Sequence, residues 1–359
     1  MGASYRLIRP DELDAGLVAA WRGIQSTEPG FASPYFSPEF SLCVGRIRRD
    51  ARIAVIENEQ KSVGFFPYQR GFLGVGRPIG GALSDFHGVL TTASGEWNLL
   101  ELVRASRLSV WAYDHLVGNT PRPEFHVTAR AQSPQIDLSS GYDLYAKGRR
   151  DAGSDYIRKT EGLARKLARE FGDIEFLLED RSSTSLNQIL AWKSEQYRQS
   201  GITDVLAVPW AGALLRQVAE SSGETFSGMC SVLRVGGRVV AGHIGMRSSE
   251  VLHYWFPAYD PEFAKFSVGI ILLLRMAQSV SQQGVRTIDL GKGISPYKER
   301  LMSGYVEVCE GYAEVPSVLG NLRSLRRQVE DLEGRGSAGR LFELPLRVVR
   351  RIERSTRFR

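Results

Sequence analysis

The sequence predicts an α/β protein built on mixed sheets, and three observations lead there. The chain has 359 residues, and at roughly 150 residues per domain it holds about two domains with ordinary cores. Hydrophobic residues make up 43% and charged residues 24%, the balance of a soluble globular chain, which excludes a disordered or membrane-spanning one. Segments with a 3.6-residue apolar period alternate with short segments of period two, the pattern of helices interleaved with strands.

The first third reads as β-rich with connecting helices. RIAVIENEQKSVGFFPYQR, residues 52–70, places two apolar runs around a turn at 57–61, a hairpin signal. SVWAYDHLV, residues 109–117, alternates as a strand after the helical ELVRA. Pro121, Pro123 and Pro134 then break the pattern, a new element starts at residues 135–138, and the domain boundary falls near 134–145.

In the second part, DYIRKTEGLARKLAREF, residues 155–171, repeats Tyr156, Leu163, Leu167 and Phe171 near the helical period, with its basic residues mostly elsewhere. This is an amphipathic basic helix closed by Gly172. IEFLLE follows as a strand, residues 185–199 as a helix carrying Trp192, Lys193 and Tyr197, and residues 211–220 as another helix. A strand at 228–235, the turn Gly236-Gly237 and a strand at 238–246 form a hairpin, joined by a strand at 251–258. A loop through Asp260-Pro261 leads into an apolar helix at 269–283, and VRTIDLG and YVEVCEGYAEV complete the set as extended segments. No repeat of 20–50 residues points to a solenoid.

The net charge of +6 is unevenly placed. Residues 321–359 carry eleven arginines and five acids, so the preceding body is neutral. A neutral body lacks the basic stripe of a nucleic-acid-binding surface, and no DNA partner is expected. The tail reads either as a solvated extension or as a basic amphipathic helix meeting anionic lipid or an acidic partner. Cys43, Cys230 and Cys309 are odd in number and lack C-x-x-C spacing, against a disulfide framework and against structural zinc. With five histidines in no ligand pattern, no metal is implied. The N-terminus has no apolar core of signal-peptide length, and the longest apolar run, residues 268–274, is far short of a bilayer. The expected location is the cytoplasm, with peripheral contact at the inner face of the membrane left open by the tail.

GxSxG, Walker, HExxH and strand-to-helix G-x-G-x-x-G signatures are absent, and GFLGVG at residues 71–76 is followed by no helix of the right length. The informative stretch is DLGKGISPYKER, residues 289–300. Asp289, Lys292, Lys298 and the Tyr297 hydroxyl gather where a strand ends and a glycine-rich turn begins, where α/β folds place sites; a turn-capping Asp289 and a solvated Lys298 are the plainer account. The start of the helix at Gly269 offers unsatisfied N–H groups to a phosphate. Alternation puts His243 with Gly245 on one face of its strand, and His253 with Trp255 on one face of the next; either imidazole can serve as a general base or as a hydrogen-bonded structural group. LSDFHG sets Asp85 and His87 two apart, which fits a cleft lining or a turn with a satisfied histidine.

IDLGKGISPYKERL, preceded by AGHIGM, HYWFPAYDPEFAKFSVGIILL and WKSEQYRQSG, resembles the GNAT-like acyltransferases of the CelD type, associated with bacterial cellulose and exopolysaccharide biosynthesis. SPYFSPEF, GFFPYQR and LSDFHG are similar to the N-terminal half of the same proteins, so the resemblance spans about residues 30–315. It implies tandem GNAT-like domains, each a mixed, mostly antiparallel sheet flanked by helices: residues 1–137 on the acceptor side, 138–320 as the acyltransferase domain, and 321–359 as a basic helical tail.

The resemblance further implies an acyl-CoA-dependent N- or O-acyltransferase acting on a sugar, sugar nucleotide or envelope-polysaccharide precursor in a cleft between the domains. Asp289, Gly291, Gly293, Tyr297 and Lys298 match the family's D-x-G-x-G-x-x-x-Y-K stretch. His243 or Asp289 is then the base, and Lys298 with Tyr297 serves the carbonyl or leaving thiol. Lys265, Ser267, Val268, Gly269 and Ile270 hold the donor, while Asp85, His87, Trp192, Tyr197, Tyr254 and Lys292 face the acceptor. The loop KFSVGII keeps one glycine of the [QR]-x-x-G-x-[GA] donor loop. Fem-type aminoacyl-tRNA-dependent transferases share the tandem architecture without that loop and stand as the alternative, as does a non-catalytic scaffold of a polysaccharide-synthesis complex.

Overall fold

The computed structural model describes residues 2–59, 61–92, 97–117 and 124–316. In chain order the first elements are β1 (Ser4–Ile8), α1 (Ala15–Thr27), α2 (Pro38–Ile47), β2 (Ala51–Asn58), β3 (Lys61–Arg70), β4 (Val75–Pro78), β5 (Leu90–Thr91), α3 (Leu99–Ala105) and β6 (Val110–Leu116). There follow β7 (His126–Asp137), α4 (Tyr142–Asp151), α5 (Tyr156–Phe171), β8 (Ile174–Leu177), α6 (Ser183–Gln199), α7 (Pro209–Ala219), β9 (Ser227–Val235), β10 (Arg238–Arg247) and β11 (Val251–Tyr259). The last are α8 (Val268–Ser281), β12 (Thr287–Asp289), α9 (Pro296–Leu301) and β13 (Gly304–Glu314).

These elements form two compact α/β units, both discontinuous in sequence. Unit 1 takes the chain up to Ile24, Val44–Ala129 and the chain from Cys309, whereas unit 2 takes Gln25–Cys43 and Arg130–Val308. The division falls within β7. Pro134 does not end that strand: it lacks an N–H, but its carbonyl accepts the Leu290 N–H at 2.9 Å. The basic tail, with Pro121 and Pro123, lies outside the described residues.

In unit 1, β1, β2, β3 and β4 are successive antiparallel neighbours, β4 lies parallel to β6, and β6 is antiparallel to Cys309–Glu314 of β13. The β2–β3 hairpin pairs Asn58 with Lys61, as its sequence predicts. Successive β3 side chains serve opposite layers: Phe65 stacks on Trp21 of α1 at 4.5 Å, and Phe66 meets Trp111 of β6 edge-on at 4.9 Å.

In unit 2, β8, β9, β10 and β11 are antiparallel neighbours, β11 pairs β12 in parallel, and β12 is antiparallel to β7. The β9–β10 turn puts Gly236 at φ 54 and Gly237 at φ 81, the left-handed pair a two-residue turn requires. Two strand glycines let helices close on the sheet. A Cβ on Gly242 would lie 2.4 Å from the Ile189 side chain of α6, and one on Gly228 would lie 1.7 Å from the Val218 carbonyl oxygen of α7. Helix α8 is apolar on almost every side because it is buried: Ile271 and Leu272 pack with Val240 and Ala241, and Leu273, Leu274 and Ala277 pack with Ile288 and Leu290. A bulge between Ile244 and Met246 interrupts the strict alternation read from β10. No helix among the described residues is long and apolar enough to cross a membrane.

Candidate active site

Strands β11 and β12 pair at Val251–Thr287, Leu252–Ile288 and His253–Asp289. Beyond that point β12 ends while β11 continues to Tyr259, so the sheet opens at the carboxyl ends of two parallel strands, the usual place for a ligand crevice. The chain leaves β12 through Gly291 and Gly293, whose φ angles of 80° and 89° suit glycine.

Asp289 fixes that turn from beneath. Its buried carboxylate accepts hydrogen bonds from Ser133 Oγ (2.8 Å), Gln135 Nε2 (3.1 Å) and the Gly291 N–H (2.8 Å), and lies 3.4 Å from His253 Nδ1. Lys298 fixes it from above. PYKERL, read from sequence as part of a turn, folds as α9 with proline in its first turn, and the Lys298 ammonium donates to the carbonyls of Gly291 (2.8 Å) and Lys292 (3.3 Å). A positive charge is thereby held over the glycine-rich turn. Lys292 itself is partly buried there.

A second lysine completes this cation pair, and the sequence offers little sign of it. Lys193, on the part-buried side of α6, donates to Gln196 Oε1 (3.1 Å) and to the Pro257 carbonyl of β11 (3.2 Å), with the Tyr197 ring centroid 5.1 Å from its nitrogen. Burial, reinforced by the charge of Lys298, pulls its pKa down from 10.5 to about 8. Trp192 beside it is half-buried. Tyr297 is held protonated, its pKa pushed up to about 12 by burial and by Tyr156.

His243 occupies a different environment from the one expected of a base. It is fully buried, its Nε2 accepts the Trp255 N–H at 3.2 Å, and its ring stacks on Tyr254 at 4.6 Å and 13°. Burial drives its pKa down to about 3, so the imidazole is a neutral packing group. Asp289 is equally enclosed, with its oxygens occupied by the turn. Tyr254 is buried too, its hydroxyl donating to the Gly269 carbonyl at 3.4 Å, and burial raises its pKa well above the usual value.

Helix α8 opens at Ser267, whose φ of 55° places it in the left-handed region and whose side chain makes no cap. Its carbonyl takes the N–H groups of Ile270 and Ile271, while those of Val268 and Gly269 begin the helix and have no intrahelical acceptor. Val268 is buried and Ile270 is packed into the core, so side chains there support the backbone. A Cβ at Gly269 would stand 3.3 Å from the Tyr259 ring, so glycine keeps this approach open. Lys265 is exposed, 3.9 Å from Glu170 and over the Phe266 ring. A concave surface of about 430 Å³ lined by Asp137, Ser140, Leu144, Tyr145 and Arg149 lies by α4 and includes none of these groups.

In unit 1, His87 is buried, with Nε2 2.7 Å from the Ser84 carbonyl oxygen, and burial lowers its pKa to about 4. Asp85 is partly exposed and faces His115 rather than His87.

Residues 156–299 match the family described as acetyltransferase (GNAT) domain, a match that takes in α5 through most of α9. The fold of the described residues is like that of tandem GNAT proteins. It is similar to a tandem GNAT protein from the clavulanic acid biosynthesis pathway (11% identity, TM-score 0.50, covering 88% of this chain and 99% of that one). It is also similar to the C-terminal domain of a putative lysylphosphatidylglycerol synthetase from Agrobacterium fabrum (11%, TM-score 0.52, 87% and 95%) and to FemX (9%, TM-score 0.51, 86% and 96%). At these identities the likeness is one of fold. No curated protein matches the sequence.

Proposed function

We propose that this protein is an acyltransferase that moves an acyl group from acyl-CoA to an amine or hydroxyl of a sugar, sugar nucleotide or envelope-polysaccharide precursor, with the chemistry in unit 2. The observation that carries the reading is the lysine pair at the opening between β11 and β12: Lys298 pinned to the glycine-rich turn, and Lys193, whose pKa burial lowers to about 8, so that a share of it is the free base near physiological pH. The match of residues 156–299 to GNAT acetyltransferase domains supports it.

Acyl-CoA supplies an activated thioester carbonyl. The Val268 and Gly269 N–H groups at the positive end of α8 suit its phosphates. The free-base amine of Lys193 accepts the proton that the acceptor loses as its nitrogen or oxygen bonds to the carbonyl carbon. Lys298 presents a fixed charge toward negative charge developing on the carbonyl oxygen or the departing sulfur, and the Tyr297 hydroxyl can return a proton to that sulfur. His243 and Asp289 act in this scheme by holding β10, β11 and the turn in place. Calorimetric titration of the folded protein with acetyl-CoA, a longer acyl-CoA and coenzyme A tests the donor class; micromolar binding is expected, and none at millimolar ligand would overturn it.

A second reading is aminoacyl transfer from tRNA, favoured by the single glycine in residues 265–271 and by the FemX-like fold. It requires tRNA binding that weakens steeply with salt, and loss of that signal removes it.

A further inference from the structure

The polar cluster of unit 1 has no part in the reading above. Residues 84–88 are stitched to β6 by the His87 N–H donating to the His115 carbonyl and the Val117 N–H donating to the His87 carbonyl, both at 2.9 Å. This fixes His87 beside Asp114 and His115 on a rigid strand.

The hydrogen bonds set the tautomers. A carbonyl oxygen only accepts, so His87 Nε2, 2.7 Å from the Ser84 oxygen, carries the proton and Nδ1 carries a lone pair. That lone pair lies 3.6 Å from Asp114 Oδ1, and the His115 N–H reaches it at 3.3 Å, the long end of hydrogen bonding. His115 stands between two carboxylates. Its Nε2 faces Asp85 Oδ1 at 3.7 Å, and its Nδ1, buried and making no hydrogen bond, lies 3.2 Å from the same Asp114 Oδ1. One possible ligand atom from each of His87, His115 and Asp114 thus lies within 4.8 Å of the others. Atoms so placed can share a cation, whether a metal ion or the proton of a His115 Nδ1–H directed at Asp114.

We propose that His87 Nδ1, His115 Nδ1 and Asp114 Oδ1 bind a zinc-type divalent cation. Donors about 2.0–2.2 Å from tetrahedral zinc stand about 3.3–3.5 Å apart, and the two separations of 3.2 and 3.6 Å bracket that value. Two imidazoles and one carboxylate suit zinc and its transition-metal neighbours rather than magnesium or calcium, which take oxygen ligands. Ser84 and Asp85 fill the outer positions that orient metal-bound histidines. An entry route exists on the Asp114 side, whose side chain is 40% exposed while that of His87 is 1% exposed. Three protein ligands leave one tetrahedral position for water or a small ligand.

The test uses the full chain, stripped with a chelator and desalted, titrated calorimetrically with zinc chloride and spectroscopically with cobalt chloride. One equivalent with micromolar or tighter affinity and a tetrahedral cobalt spectrum is expected. Asp114→Asn, at a partly exposed side chain, should weaken binding about 100-fold with the melting curve of the metal-free protein unchanged, and Asp85→Asn should weaken it about 10-fold through the outer shell. Absence of binding by the folded chain, or binding that Asp114→Asn leaves intact, would overturn the proposal.

Discussion

Replacing Lys193 by methionine keeps the length of the side chain and removes its charge, which makes the cost of burying that charge measurable. A group with a folded pKa of about 8 against 10.5 unfolded binds fewer protons folded than unfolded between those values, so the wild type gains stability as pH rises through that window. Below pH 8 the charged amine must be buried, and the penalty is fully present. From the two pKa values the penalty falls by about 2.5 kcal/mol between pH 7 and pH 10. Lys193→Met has no such penalty, so the stability of the variant minus that of the wild type should fall by the same amount over that range. Lost hydrogen bonds to Gln196 and Pro257 shift this difference by an amount that does not depend on pH. Urea denaturation followed by tryptophan fluorescence at pH 7, 8, 9 and 10 gives the difference directly. A difference that is flat over the range would show that Lys193 is ordinarily solvated and would remove the basis for giving it a proton-accepting role.

Three other outcomes are expected. Transfer to an amine acceptor should rise about tenfold from pH 7 to pH 9 as Lys193 deprotonates, and Lys298→Met, by removing a like charge, should move that rise to higher pH; stopped-time assays across pH check both. Asp289→Asn places an amide N–H2 against donors from Ser133, Gln135 or Gly291, so stability should fall by about 2–3 kcal/mol in urea melts. Gly242→Ala should cost about 1–3 kcal/mol through the 2.4 Å clash with Ile189, and much less in an Ile189→Ala background, which a double-mutant cycle would show.

What the sequence revealed follows from how local each signal is. The β9–β10 hairpin, the all-apolar α8 and the Asp289–Lys298 stretch are written in consecutive residues, and the structure places them within a residue or two of the expected bounds. Asp289 capping the turn, the plainer of the two sequence accounts, is what its hydrogen bond to Gly291 shows. Lys193 was hidden because a lysine on a helix reads as solvated, and what lowers its pKa is burial, with its amine on the Pro257 carbonyl, and the charge of Lys298, both residues distant in sequence. The same holds for His115 and Asp114, whose neighbour His87 lies on another segment of the chain. β7 was obscured by Pro134, and α9 by its glycine-rich approach. On β10 the alternation read from sequence is interrupted at the bulge between Ile244 and Met246.

The order in which unit 1 is assembled has a consequence during synthesis. β6 emerges with its β4 neighbour already made, but its other edge is completed by Cys309–Glu314, roughly 190 residues later. At 5–20 residues per second a ribosome takes about 10–40 s to supply them. Throughout that interval the nascent chain exposes an unpaired strand edge bearing Trp111 and Tyr113, while everything needed for the sheet of unit 2 is being made. The first unit begun is thus the last one finished, and any chain severed between the two leaves an open edge that invites pairing with another molecule.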